Sequence, residues 1–143
     1  MAGEACQKAR VRAVVRDIEL QVEVVARNRY PEACLGSKVS ESAKEEAGQQ
    51  LKKNVGAFAQ LVKFSPFIAG DQFTLADCAA AVHLPLVSSA SKIIYGSDCL
   101  ADLPVRDYLA RLSERPAVQR VNADRKTNTA LMMARAKVPA KKE

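Results

Sequence analysis

"GDQFTLADCAAA", residues 70–81, joins a turn glycine, a hydroxyl residue, an acid three places later and a nearly unbroken apolar run. Thr74 and Asp77 have the spacing of a capping box, in which each side chain accepts from the other residue's backbone N–H. Phe73, just before the cap, is expected to pack on Cys78 as a hydrophobic staple. Because a buried helix cannot leave its first N–H groups to water, Asp77 is interpreted as a structural cap rather than a catalytic acid.

The helix that follows the box is apolar on almost every side over residues 75–90. Such a helix belongs at the centre of a domain. Pro85 removes a backbone donor, so a kink is expected near His83. His83 is the only histidine, which excludes His-based triads and two-His metal sites within one chain, and a structural hydrogen bond is its expected role.

Two long amphipathic helices are predicted before this stretch. Residues 4–29 carry valines and isoleucine at steps of three and four, which is typical of one buried helical face. After a loop at 32–39, a second helix is expected to be capped by Ser40 or Ser42 and to end near Ser65. The first helix needs tertiary or dimer packing to persist, because its many valines lower its helix propensity.

Two further helices are predicted behind it, over 103–112 with Asp102 in front, and from Pro116 to about Arg135. Hydrophobic residues make up 48% of the 143 residues and aromatic residues only 5%, with no Trp. This composition favours helices packed through aliphatic side chains. The chain is therefore expected to be one all-α domain over 1–143.

The net charge of +6 raises the question of a nucleic-acid partner. Four of the 22 basic residues lie in the last nine positions, within a basic tail at 126–143, and the others are spread over helices without interleaved aromatic residues. Nucleic acid is therefore not the expected partner.

The four cysteines are Cys6, Cys34, Cys78 and Cys99, and no two of them form a CxxC pair. No metal site is expected from that spacing, and Cys78 is expected in the core. The N-terminus lacks the apolar segment of a signal peptide, and the apolar run after Leu75 is interrupted before it reaches membrane-spanning length. These features predict a cytoplasmic protein that does not enter a membrane.

Two motifs resemble the C-terminal domain of cytosolic glutathione transferases of the bacterial type. "FIAGDQFTLADCAAA" is similar to the segment that introduces that domain's central helix, and "LPVRDYLARLSERPAVQRV", 103–121, is similar to its closing stretch. The resemblance covers residues 4–125 and implies a bundle of about five helices. Tyr108 stands where the family often has Trp, a change expected to alter packing more than chemistry.

Family members carry a thioredoxin-like domain of about 80 residues before the helical one, and this sequence lacks its βαβ pattern. The chain is therefore expected to be a fragment, although a natural single-domain protein is the alternative. The resemblance implies that the full-length enzyme adds the glutathione thiolate to electrophiles, with glutathione as co-substrate and a homodimer as the assembly. The segment alone is expected to be inactive, since it supplies no catalytic residue.

Arg12 and Arg16 are the implied candidates for binding a glutathione carboxylate, and Tyr30 for lining the electrophile pocket. A solvated helix face is the alternative interpretation of all three. Met132 and Met133 are expected either to fold over the pocket or to belong to a frayed tail. A second functional hypothesis is a non-catalytic domain of the same fold that binds proteins in translation or transcription.

Overall fold

Five helices make up the described part of the protein, residues 2–31 and 40–136 of a computed structural model. They are α1 (Ala2–Arg16, Asp17–Glu23 and Val24–Arg27), α2 (Glu41–Leu61), α3 (Leu75–Tyr95), α4 (Val105–Leu112) and α5 (Pro116–Ala136). Within those residues there is no β-strand, only an isolated antiparallel pairing of Phe67 with Gly70. The prediction of an all-α bundle of about five helices is confirmed.

Helix α1 changes its winding in the middle, being π-helical over Asp17–Glu23 and α-helical on both sides. Its fully buried apolar side chains follow one another at steps of four: Val14, Ile18, Val22 and Ala26. In an α-helix a step of four overshoots a 3.6-residue turn by about 40°. A π turn holds more than four residues, so a step of four falls short of a full π turn. The π-helical segment therefore offsets the overshoot and brings the buried side chains back into line against α3.

Helix α2 begins where expected and ends earlier. Ser40 is the cap, and its Oγ accepts from the Ala43 N–H at 3.3 Å, whereas Ser42 lies inside the helix. The backbone turns extended at Val62, so the expected end near Ser65 is wrong by four residues. The loop expected at 32–39 lies outside the described residues.

Helix α3 forms the core and is longer than expected. It continues through Pro85 to Tyr95, five residues past the expected end, and stops at Gly96, which adopts the left-handed φ of 72° that glycine tolerates. Its inward side chains are Ala76, Ala80, Leu84, Val87 and Ile94 among others. They pack against α1 along most of its length.

The apolar stretch of α3 is longer than the interrupted run expected from the sequence. With 21 residues and an 18-residue window of mean hydropathy 1.2, α3 is long and apolar enough to cross a bilayer by those measures, and no other helix in the described residues is. Core helices pass the same test, and 44% of its most apolar window is buried inside the bundle. Its packing against α1 accounts for that composition.

The predicted capping box is present at the start of α3. Oδ2 of Asp77 accepts from the Thr74 N–H at 2.8 Å, and the Thr74 hydroxyl accepts from the Ala76 N–H at 3.3 Å. Oδ1 of Asp77 accepts in addition from the Ile68 N–H at 2.9 Å. The carboxylate is fully buried, so it fixes both the helix end and the preceding loop.

The expected staple is not the one observed. Cys78 is exposed, so its assignment to the core is wrong. Phe73 instead packs edge-on against Phe67 with ring centroids 5.8 Å apart, and the guanidinium carbon of Arg115 lies 4.0 Å from the centre of its ring. The partners therefore come from the loop and from the start of α5, not from the next turn of α3.

Helix α4 differs from expectation at its start, and helix α5 extends into the region expected to be a tail. Helix α4 begins at Val105 with Pro104 as the preceding residue and no side-chain cap, so Asp102 does not cap it. Helix α5 begins at Pro116 as expected, runs without a break past position 126, at which the basic tail was expected to begin, and carries Met132 and Met133 on its last turns.

Candidate functional site

A groove of about 470 Å³ lies between α3 and α5, and the end of α1 closes one side of it. We call it the Tyr30 groove. Its residues are Tyr30 after α1, Leu86, Ser89, Ala90 and Ile93 on α3, and Arg125, Lys126, Thr129, Ala130 and Met133 on α5. On each helix they recur at helical spacing, so one face of α3 lies opposite one face of α5.

The walls of the Tyr30 groove are largely apolar and accessible. Ile93 is 60% exposed and Met133 is 41% exposed, although both are large hydrophobic side chains. They remain open because α3 is apolar on more faces than α1, α2 and α4 cover. A partly open apolar cleft with a few polar groups is the usual form of a small-molecule site.

Two cations stand on the α5 side of the groove. Nη2 of Arg125 donates to the amide oxygen of Asn122 at 3.3 Å, while its Nε–H is buried and has no acceptor among the described residues. Lys126 is exposed and forms no ion pair there. Of the described residues that line the groove, none is acidic, so the groove presents a positive field to a ligand.

The structure brings Tyr30 and Met133 together, as the sequence suggested for a pocket. Met132 is 57% exposed and does not line the groove. The sequence reasoning missed Ile93, Arg125 and Lys126. Ile93 was missed because α3 was expected to end before it, and the two cations because their place depends on how α5 lies against α3.

Arg12 and Arg16 are exposed on the other half of α1. Arg12 borders a shallow depression of about 410 Å³ that also includes Gln72 and Thr74, beside the start of α3. At 1.5 Å per residue, the turns between the arginines and Tyr30 span on the order of 20 Å. The structure therefore does not place the arginines in the Tyr30 groove.

A second groove, of about 580 Å³, runs between α2 and the segment after α3, and no sequence pattern predicted it. One of its two carboxylates, Asp98, already accepts from the Ser88 hydroxyl at 2.6 Å, from Lys92 Nζ at 3.0 Å and from the Leu100 N–H at 3.0 Å. Burial raises the pKa of Asp98, but these bonds together lower it by more, so the pKa lies below its usual value. The Asp98 carboxylate is thus occupied within the fold.

Three buried polar atoms outside both grooves lack a hydrogen-bond partner among the described residues. They are Oδ2 of Asp17, in the π-helical segment, Nε of Arg29 and Nδ1 of His83. Burial raises the pKa of Asp17. The structural hydrogen bond expected for His83 is therefore not found at Nδ1.

The chemical capacity of the Tyr30 groove is binding rather than bond making. It brings together no nucleophile and base at hydrogen-bonding distance among its described residues. The described ranges also hold no group of three or more His, Cys, Asp or Glu side chains that could bind a metal ion. The groove can hold an apolar ligand and attract a negative charge.

Comparison with known proteins gives two matches. The family model "Glutathione S-transferase, C-terminal domain" matches residues 41–115, which include α2, α3, α4 and the capping box. A protein from Pseudomonas putida described as "Glutathione S-transferase" is 32% identical over 134 residues, which cover 93% of this chain and 61% of that protein. The chain thus spans 61% of the length of this relative.

Proposed function

Because the chain belongs to the glutathione S-transferase C-terminal domain family, we propose that it is the helical half of an enzyme that adds the glutathione thiolate to electrophiles. The Tyr30 groove is the wall of the electrophile site, and glutathione is the co-substrate. The observation that carries this proposal is the apolar groove that joins Tyr30 to Met133 in a member of this family. No metal takes part in the proposed reaction.

The proposal assigns activation of the thiol to a thioredoxin-like domain outside this chain. The relative from Pseudomonas putida is longer than the matched region, which covers 61% of it. The described part of the Tyr30 groove offers no base that could take the thiol proton. We therefore expect the segment alone to be inactive and the full-length protein to be active.

The face of α3 near its start is the proposed docking surface for that domain. Leu75 is 66% exposed, Val82 is 37% exposed and Cys78 is exposed between them. The depression that includes Arg12 and Thr74 places the first turns of α1 beside the start of α3. A domain joined in front of α1 would therefore reach this apolar face without a long linker.

The proposed glutathione contacts are Arg12 and Arg16, with a restriction that the geometry adds. Glutathione has three residues, which extend over roughly 10 Å, whereas the arginines lie on the order of 20 Å from Tyr30. One bound pair of substrates can contact both regions only if the two molecules lie end to end. Arg16, which is closer to Tyr30, fits this arrangement better than Arg12.

A cytoplasmic homodimer formed through the first two helices completes the proposal. Leu20 on α1 and Leu61 on α2 are 51% and 40% exposed, which leaves apolar surface on both helices for a second copy. Sedimentation measurements test the dimer: a single monomeric species at high protein concentration would contradict it.

The alternative function is a non-catalytic domain that binds another protein. The exposed side chains Leu75 and Val82 favour it, since a protein partner could cover them instead of a thioredoxin-like domain. A conjugation assay separates the two functions. The full-length protein is mixed with glutathione and a panel of aryl halides and unsaturated carbonyl compounds, and the 143-residue segment is assayed in parallel.

Variants connect the assay to the groove. Tyr30→Ala and Ile93→Ser are expected to raise the KM for the electrophile and leave the KM for glutathione nearly unchanged. Tyr95→Phe, outside the groove, is the control. Full-length protein that conjugates no compound of the panel would favour the protein-binding function, and normal kinetics in both groove variants would move the electrophile site elsewhere.

A further inference from the structure

We propose that the Tyr30 groove selects ligands that combine an apolar body with a carboxylate, and that Arg125 and Lys126 receive the carboxylate. The inference rests on the proposed function, because it names the class of electrophile that the same groove takes. It also makes a statement about binding that holds for the helical chain by itself, whether or not any conjugation follows.

The charges that line the Tyr30 groove are unbalanced. Arg125 and Lys126 are adjacent on α5, and the groove has no carboxylate among its described residues. Some other cations of the described residues have an acidic partner, as Lys8 has Glu4 and Lys92 has Asp98. The two groove cations are thus left to solvent and ligand, and a ligand anion would supply the missing charge.

One side-chain donor of Arg125 is unsatisfied. The Nε–H of Arg125 is buried without an acceptor in the described residues, although an arginine in water would have that donor hydrated. The only hydrogen bond that the Arg125 side chain makes to the described residues is a long one, 3.3 Å, to the neutral amide of Asn122. A carboxylate can bind the planar guanidinium through two parallel N–H donors, which a neutral ligand cannot match.

An apolar surface lies opposite the two cations. Leu86 and Ile93 form the α3 wall, and Met133 lies one helical turn past Thr129 on α5. A volume of about 470 Å³ lies within the range of small-molecule sites. The flexible thioether of Met133 can adjust to ligands of different shape. The groove therefore selects more strictly for the carboxylate of the ligand than for the shape of its apolar body.

A matched pair of probes tests the inference on the full 143-residue chain. Naphthalene-2-acetic acid and its primary amide share one apolar body and differ in charge. Because the chain has no Trp, naphthalene fluorescence reports binding with little protein background, and calorimetry checks it. At neutral pH and low salt we expect the acid to bind about tenfold more tightly than the amide, the size of one charge-assisted bond.

Variants identify the residues. Arg125→Gln is expected to weaken binding of the acid about tenfold and Lys126→Gln about threefold, while amide binding changes little. Arg120→Gln, on α5 but outside the groove, is the matched control. Ile93→Ser should weaken both probes, and salt at 1 M should weaken only the acid. Circular dichroism verifies that each variant keeps the helical fold.

The outcomes distinguish this inference from the proposed function. Equal affinity of acid and amide would overturn the charge selection and leave the groove as an electrophile site. Loss of acid binding in Arg120→Gln but not in Arg125→Gln would also overturn it, because the anion would then bind elsewhere. If neither probe binds, both assignments of the groove fail. Selective binding of the acid together with an inactive full-length protein would support the inference and reject the transferase function.

Discussion

The phenol of Tyr108 donates a hydrogen bond of 2.7 Å to Oδ1 of Asp77, and both side chains are fully buried. This bond joins α4 to the start of α3. Burial, together with the bond to Asp77 and its charge, raises the pKa of Tyr108. The phenol therefore keeps its proton and acts as a permanent donor. Tyr108 thus supplies a structural hydrogen bond in addition to packing.

Tyr108→Phe is expected to lower the free energy of unfolding by about 1.5–3 kcal/mol, the range for a hydrogen bond to a charged group. Denaturant unfolding measures this loss. Tyr95→Phe is the matched control, because that phenol donates to the neutral backbone oxygen of Lys44 at 3.2 Å and is partly accessible. An equal or smaller loss in Tyr108→Phe than in Tyr95→Phe would contradict the role of the buried bond.

The two members of the capping box should differ in their effect. Thr74→Ala removes a cap hydroxyl and is expected to cost about 1 kcal/mol. Asp77→Ala removes the acceptor for Thr74, Ile68 and Tyr108 at once, and each buried donor left without a partner adds about 1–3 kcal/mol. Asp77→Ala should therefore cost at least about 3 kcal/mol. Similar unfolding curves for the two variants would show that only the cap matters.

Removal of the Asp98 carboxylate should destabilise the protein in a pH-dependent way. Burial raises the pKa of Asp98, but bonds from Ser88, the Leu100 N–H and Lys92 hold it below its ordinary value of 3.8. A lowered folded-state pKa stabilises the fold above the unfolded value, and this stabilisation is lost as pH falls through the folded-state pKa. Asp98→Asn should thus be less stable than wild type at pH 7, with a gap that narrows below pH 3.8.

A gap that stays constant from pH 7 down to the acid limit of the fold would contradict this account of Asp98. Asp124→Asn, on the exposed side of α5, serves as the control. It should show little change in stability at any pH.

The cysteines should react with iodoacetamide at different rates. Cys78 is exposed, whereas Cys99 is partly buried and its pKa is raised, first by desolvation. Since only the thiolate reacts, Cys99 should be alkylated more slowly at pH 7.5, and its rate should continue to rise at higher pH. Mass spectrometry of peptides from timed samples gives the rate at each site. Faster alkylation of Cys99 than of Cys78 would reject this order.

The same reaction tests the proposed docking surface. In the full-length protein a domain covering Leu75, Cys78 and Val82 should protect Cys78, while Cys6, which is exposed in the helical chain, serves as the reference. Undiminished alkylation of Cys78 in the full-length protein would place the domain elsewhere.

Local chemistry made the start of α3 predictable. The hydroxyl of Thr74 and the carboxylate of Asp77 are three residues apart, and this spacing specifies a cap wherever the helix lies in the fold. The apolar steps on α1 and α2 likewise specify helices. The bond from Tyr108 to Asp77 could not be predicted in the same way, because 31 positions separate the two residues.

The site was predictable only in part, for a related reason. Tyr30 was identified through its place at the end of α1, but a groove exists only where two helices meet. A helix that is apolar on nearly every side does not reveal which side its neighbours cover, and this is why Cys78 was wrongly placed in the core. Arg125 and Lys126 belong to a candidate site only because Ile93 lies across the groove from them, and no local sequence pattern predicts that arrangement.

Because of the π-helical segment, the two ends of α1 do not follow one 3.6-residue periodicity. If residues 17–23 were wound as an α-helix with no residue removed, everything before the segment would rotate by about 100° relative to Tyr30, the angle of one extra residue. Arg12 and Arg16 would then face a different part of the surface while Tyr30 kept its place. A helical wheel drawn through the whole of α1 thus misplaces one end, and the wider turns let the helix hold an extra residue while both ends keep their faces.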